Sequence, residues 1–163
     1  MSASQNSPSR RNVLRATVAV LCCPALAARA TPSQVDQITD LSATAATGMF
    51  RFEPDFIRLD VGSEIAFLNS RGDHTVHTIP ELWPDGEPRV AIAHKKEAVV
   101  HFPQAGLYGF RCRRHGQYGM VMLAAVGDLQ DTAAARSAIE KMRAKGRERK
   151  ALAALLDRVD NRG

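Results

Sequence analysis

The sequence predicts a mainly β fold, in which a β-sandwich is followed by two α-helices. Between residues 49 and 126, short β-branched or alternating segments are separated by turn-forming residues, which is typical of β-sandwiches. After Gly127 the apolar residues change to a helical period. The two patterns together indicate one sandwich domain that carries a helical C-terminal part.

Seven strands are predicted in the first region. They lie at residues 49–53, 56–60, 64–69, 75–78, 98–102, 107–111 and 121–126. Turn signals such as Val61-Gly62 and Asp85-Gly86 separate them. The connection over residues 79–96 contains three prolines, so we expect it to be mostly irregular, with at most a brief strand or turn of helix.

Residues 131–159 predict the two helices. Two apolar stripes at helical spacing flank Gly146, which interrupts the pattern. The first stripe consists of Ala135, Ala138, Ile139 and Met142, and the second consists of Leu152, Leu155, Leu156 and Val159. The basic residues between Arg136 and Lys150 are expected to form a solvated helical face. The predicted organisation is a flexible lead-in over residues 31–46, a sandwich over residues 47–127 and a helical extension of the same domain over residues 128–163.

Residues 1–30 have the composition of a signal peptide. They contain four arginines and no acidic residue, and an apolar stretch from Val13 to Ala28 leads to Ala28-Arg29-Ala30. The segment around Arg10-Arg11 resembles a twin-arginine signal, with the general secretory route as the alternative. The stretch is too short and too rich in alanine for a membrane span, which needs about 20 predominantly apolar residues. We therefore expect export to the periplasm, removal of residues 1–30 and no stable membrane insertion.

Removal of this segment changes the charge and the cysteine content. Loss of its four arginines lowers Lys+Arg from 22 to 18 against 17 Asp+Glu, so the formal charge falls from +5 to about +1. Nucleic-acid binding is not supported, because basic residues are neither in excess nor interleaved with stacking aromatic residues. Cys112 becomes the only cysteine, and in an oxidising compartment a lone cysteine beside histidine and methionine is better explained as a metal ligand than as half of a disulfide.

The most informative motif is Cys112-x₂-His115-x₄-Met120, with His74 upstream. A short loop between the strands at 107–111 and 121–126 can direct these three side chains at one point, and His74 lies where another strand begins. Two histidines, a thiolate and a weak thioether are the ligand type of blue-copper electron-transfer sites. The motif therefore predicts one copper ion that cycles between Cu(I) and Cu(II).

Two of these ligands have competitors nearby. His77 is three residues after His74, and on a strand the two side chains point to opposite faces, so both are not expected to bind one metal. Met122 shares a strand face with Met120, which the spacing favours as the ligand.

From about Thr47 onwards the chain resembles the cupredoxins, and within them the pseudoazurins. The residues that carry the resemblance are Phe52-Glu53-Pro54, Gly72-Asp73-His74-Thr75-Val76, Pro84-Asp85-Gly86, Gly106-Leu107-Tyr108-Gly109 and the cysteine motif. The resemblance implies a Greek-key sandwich with two C-terminal helices and identifies His74, Cys112, His115 and Met120 as the copper ligands, with both imidazoles binding through Nδ1.

The chain departs from that family at three places. Thr75 stands where an asparagine is usual, and a backbone donor to the cysteine sulfur is expected to survive the change. Arg113-Arg114 replaces Thr-Pro, which restores an N–H near the sulfur. Phe50 stands where a methionine usually lies against the exposed copper histidine, so aromatic packing is expected there.

The resemblance also implies a function. This function is that of a periplasmic one-electron carrier that meets redox partners transiently, such as a nitrite reductase or a c-type cytochrome. A monomer is the default expectation, and the sequence leaves the oligomeric state open. We do not expect an enzyme, because a catalytic metal site needs an open coordination position or a second centre. A periplasmic copper-binding or delivery protein with the same ligands is the alternative.

Overall fold

The computed structural model describes residues 31–69, 72–93, 97–129 and 132–161, so the predicted signal peptide lies outside the described residues. Within these ranges the chain forms nine strands and two α-helices. The strands are β1 (Ser33–Thr39), β2 (Phe50–Glu53), β3 (Phe56–Leu59), β4 (Glu64–Leu68), β5 (Thr75–Thr78), β6 (Ala91–Ala93), β7 (Glu97–His101), β8 (Gly106–Arg111) and β9 (Val121–Val126). The helices are α1 (Ala133–Lys141) and α2 (Gly146–Asp160).

The strands form two sheets that pack as a sandwich. One sheet has the order β2-β1-β4-β7 and the other has the order β3-β9-β8-β5-β6. Strand β1 runs parallel to β4 and β3 runs parallel to β9, whereas the remaining pairs are antiparallel. The core between the sheets includes edge-to-face and tilted contacts among aromatic rings, as between Phe67 and Phe110 at 5.0 Å.

Strand β9 is buried on both faces, which explains why its sequence is continuously apolar. Met122 and Ala124 belong to the core between the sheets. Val121 and Leu123 belong to a second cluster with the apolar stripes of α1 and α2, which cover the outer face of this sheet. The helices thus bury a surface that a bare sandwich would expose to water. Among the described residues, no helix is long and apolar enough to cross a membrane.

The predicted elements agree closely with the observed ones. The strands predicted at residues 75–78 and 121–126 have the observed bounds, and each of the other five differs by one residue at one or both ends. Over its described residues, 79–93, the proline-containing connection holds one 3₁₀ turn, Pro80–Leu82, and the short strand β6. Both helices are confirmed, and Gly146 is the first residue of α2.

The prediction of a flexible lead-in over residues 31–46 is wrong for Ser33–Thr39. This segment forms β1, which pairs with both β2 and β4. The buried Gln37 donates from Nε2 to the carbonyl oxygen of Leu68 at 3.2 Å, so a polar side chain occupies an interior position. Pairing with strands distant in sequence stabilises a segment whose own composition is mostly polar.

Candidate metal centre

The loop between β8 and β9 is closed by backbone hydrogen bonds. The amide of Cys112 donates a hydrogen bond to the carbonyl oxygen of Met120 at 3.1 Å. The amide of Met120 donates to the carbonyl oxygen of His115 at 3.2 Å. The amide of Gly116 donates to the carbonyl oxygen of Cys112 at 2.8 Å, and Gly116–Tyr118 forms one 3₁₀ turn. These bonds fix the loop, so the three candidate ligands that it carries emerge at the same end of the sandwich.

His74, immediately before β5, brings the second imidazole to the loop. Its Nδ1 lies 3.0 Å from Nδ1 of His115 and 3.9 Å from Sγ of Cys112, and the distance between that sulfur and His115 Nδ1 is 3.6 Å. Cys112 is fully buried, His74 is 1% exposed and His115 is half-buried. The structure therefore brings together three of the four predicted ligands, with both histidines turned towards the shared point through Nδ1.

The arrangement of these atoms suits a metal ion. Donor atoms bonded to one first-row ion at about 2.0 to 2.3 Å lie roughly 3 to 4 Å apart, the range found here. A thiolate and two imidazoles, with a methionine in the same loop, favour copper over hard cations, which prefer oxygen ligands. Among the described residues, His74, Cys112 and His115 are the group of His, Cys, Asp or Glu side chains placed to hold an ion.

The sulfur of Cys112 lies in an environment that favours the thiolate. Burial alone would raise the pKa of the thiol, but backbone hydrogen bonds from three neighbours outweigh it and lower the pKa below its ordinary value. These neighbours are Thr75, His115 and Arg114. The backbone donors expected at Thr75 and at Arg114, which replaces a proline, are both present.

The side chain of Thr75 connects the loop to β5. Its hydroxyl lies 3.8 Å from the sulfur of Cys112 and accepts a hydrogen bond from the amide of Arg113 at 2.9 Å. A threonine at this position therefore braces the residue that follows the cysteine.

Sequence reasoning missed one contact of the site, which is made by the last residue of β1. The hydroxyl of Thr39 lies 2.9 Å from Nε2 of His74, on the side of the ring opposite to the ligand nitrogen. Gly72 leaves space for this contact, because a Cβ at Gly72 would lie 2.7 Å from Thr39 Oγ1 and 3.1 Å from His74 Nε2. Such hydrogen bonds fix the tautomer and orientation of a ligating histidine.

The ring of Phe50 covers His115. The two rings are stacked with centroids 3.9 Å apart and an interplanar angle of 6°, and Tyr118 lies 5.8 Å from Phe50. This is the aromatic packing that the sequence predicted. It restricts the imidazole to one plane while the ring remains at the protein surface.

The competing residues lie elsewhere. His77 is opposite Arg111 in the pairing of β5 with β8, and it is outside the cluster of ligand atoms. Met122 lies in β9 opposite Phe110 and two residues after Met120, and two residues of strand span about 6 to 7 Å. Met120 is the methionine whose backbone is bonded to Cys112 and His115.

Comparison with known proteins agrees with this geometry. Residues 39–127 match the model of the family of copper binding proteins described as the plastocyanin/azurin family. The chain belongs to this family. It is 34% identical to the pseudoazurin of Methylorubrum extorquens over 129 residues, which covers 78% of this chain and 87% of that protein. It is 36% identical over 104 residues to the pseudoazurin of Paracoccus pantotrophus, covering 63% and 70% of the two chains.

Solved structures of this family show the same fold. The crystal structure of pseudoazurin from Methylobacterium extorquens superposes with a TM-score of 0.66 at 32% identity, and covers 79% of this chain and 99% of that chain. This cupredoxin therefore has the fold and the copper cofactor of the pseudoazurins, and it is an electron carrier with a copper site.

Proposed function

We propose that this cupredoxin is a periplasmic one-electron carrier whose copper is held by His74, Cys112, His115 and Met120. The observation that carries the proposal is the convergence of one sulfur and two Nδ1 atoms within 3.0 to 3.9 Å of one another. Met120 is fully buried and joined through its backbone to both ligands of the loop, which supports it as the axial ligand.

Copper, when bound, supplies a one-electron couple, and the chain supplies a fixed environment for it. The backbone bonds of the loop and the contact between Thr39 and His74 hold the ligand side chains in one arrangement. Burial of Cys112 in the core between the sheets excludes water from the sulfur. A site that does not rearrange and is not hydrated has little to reorganise when the charge changes, which favours rapid electron exchange.

His115 is the ligand that can reach a partner. It is half-buried, whereas His74 and Cys112 are buried, and the exposed Tyr118 and the stacked Phe50 lie beside it. Electron-transfer encounters are small and transient, so a ligand at the surface with an adjoining aromatic contact is sufficient for docking. The acceptor in this proposal is a periplasmic reductase, such as a nitrite reductase, and the donor is a c-type cytochrome.

The carrier and delivery functions differ in what the protein gives up, which is an electron for a carrier and the copper ion for a delivery protein. We would mix the reduced, copper-loaded chain 31–163 with a nitrite reductase, and separately with a Cu(I) chelator, under anaerobic conditions. The carrier function predicts that the protein oxidises within the turnover time of the reductase while its copper stays bound for far longer. Rapid loss of copper to the chelator with slow electron transfer would instead identify a delivery protein.

Export is tested on the full chain in cell fractions. Arg10→Lys/Arg11→Lys is expected to leave the precursor in the cytoplasm, whereas Arg15→Lys, the matched control, leaves export unchanged. Periplasmic accumulation of the paired variant would contradict the twin-arginine route and point to the general secretory route.

A further inference from the structure

A cleft of about 630 Å³ lies beside the copper loop, between that loop and the helices. Arg113 and Gly116 line it from the loop, and Arg143 lines it from the connection between α1 and α2. Lys145 and Arg149 line it from the start of α2. Volumes of roughly 300 to 1,000 Å³ are typical of small-molecule sites, so the cleft is large enough for a small ligand.

The charges in this cleft are unbalanced. Among the described residues, five cationic side chains line it, and the one carboxylate is that of Glu148, which is 3% exposed and pairs with Arg111 at 3.0 Å. The remaining four cations are Arg113, Arg143, Lys145 and Arg149. Within the parts of the chain that the structure describes, none of these four forms an ion pair with a carboxylate.

Four unpaired cations around one concavity repel one another, and a cleft concentrates their field. An anion that entered would relieve this repulsion. Guanidinium groups bind oxyanions in bidentate geometry, and a multiply charged oxyanion has enough oxygens to meet several of them. The pairing of Glu148 with Arg111 limits the repulsion that its carboxylate exerts on such a ligand.

We propose that this cleft is a binding site for a multiply charged oxyanion, of which inorganic phosphate is the simplest example. The cations line the cleft from the loop and from the helical side, so a small ion that enters it can meet groups from both sides. The site adjoins the copper ligands, because Arg113 follows Cys112 and Gly116 follows His115 in the sequence. An anion there favours the oxidised, more positive metal centre, and a tenfold tighter binding to the oxidised form would lower the reduction potential by about 59 mV.

The test is a calorimetric titration of the copper-loaded chain with inorganic phosphate at low ionic strength, with chloride at equal ionic strength as the reference. We expect saturable binding of one phosphate, and competition by sulfate but not by chloride. Arg143→Gln/Arg149→Gln should weaken binding at least about tenfold, because it removes two charged contacts. Lys141→Gln/Lys150→Gln removes the same charge two residues before Arg143 and one residue after Arg149, at positions that do not line the cleft, and should change the affinity less than about twofold.

Three results would overturn the proposal. The first is the absence of saturable phosphate binding to the unmodified protein, a result that does not depend on how any variant folds. The second is equal weakening by the two paired variants, which would show attraction to the overall charge of the helices. The third is binding of polyglutamate, but not of phosphate, that depends on Arg143 and Arg149, which would assign the cleft to an acidic protein segment.

Discussion

Replacement of Thr39 by valine is expected to weaken copper binding while leaving the sandwich folded. Valine has nearly the same shape as threonine, so β1 keeps its packing and its pairing with β2 and β4. What the variant loses is the oxygen 2.9 Å from Nε2 of His74. Because His74 is 1% exposed, water has little access to replace that oxygen.

The free-energy cost of losing the Thr39 hydroxyl falls mainly on the copper-bound protein. Binding through Nδ1 requires the proton of the neutral ring to be on Nε2, where it must donate to Thr39. In the metal-free protein the ring can instead carry its proton on Nδ1, which lies 3.0 Å from Nδ1 of His115. Removing the acceptor of a buried donor costs about 1 to 3 kcal/mol. Since about 1.4 kcal/mol is a factor of ten, copper affinity should fall about 5- to 150-fold.

The assay is competition for Cu(I) between the protein and a chromophoric chelator, with the free energy of unfolding of each metal-free variant measured in parallel. Thr39→Ser, which keeps a hydroxyl, is the matched control and should retain most of the affinity. An affinity of the valine variant within twofold of the unmodified protein would refute the reasoning, and so would an equal loss in the serine variant.

Three further substitutions test other contacts of the site. In thermal unfolding, Gly72→Ala should lower the stability more than Gly48→Ala. Both glycines have a positive φ, but only at Gly72 would a Cβ meet the contact between Thr39 and His74. Equal losses of stability would exclude a steric role for Gly72. Met120→Leu should alter the visible spectrum and potential of the copper protein, and Met122→Leu should leave them nearly unchanged; the reverse result would make Met122 the axial ligand. Phe50→Leu should speed exchange of the ring N–H of the half-buried His115 with solvent, measured by NMR on the reduced protein, and an unchanged rate would contradict restriction of that ring by stacking.

Much of the sandwich could be predicted from local sequence because its strands carry their own signals. Strand β9 is an uninterrupted apolar run, and β5 is β-branched and follows a turn. Strand β1 has only Val35 and Ile38 as apolar residues, so its composition resembles that of a loop. It is a strand because β2 and β4 pair with it, and this cause lies in distant residues that no local pattern reveals.

At the metal site, too, contacts within one segment could be predicted from local sequence, whereas contacts between distant segments could not. Cys112, His115 and Met120 lie in one short loop, so their spacing alone predicts a shared site, and the structure brings the sulfur of Cys112 and Nδ1 of His115 to 3.6 Å. The hydrogen bond between Thr39 and His74 joins residues 35 positions apart, and it depends on β1. It could not be predicted, because the composition of β1 indicates a flexible segment rather than a strand. The stacking of Phe50 on His115 was predicted through the family resemblance, which supplied the long-range contact.

The most direct test of the central claim is the visible absorption spectrum of chain 31–163 loaded with Cu(II), recorded before and after a mild reductant and again after reoxidation. A copper site centred on Cys112 predicts an intense thiolate-to-copper band that disappears on reduction, returns on reoxidation and is absent from Cys112→Ser. A protein that retains copper without such a band, or whose band survives in the serine variant, would contradict the account.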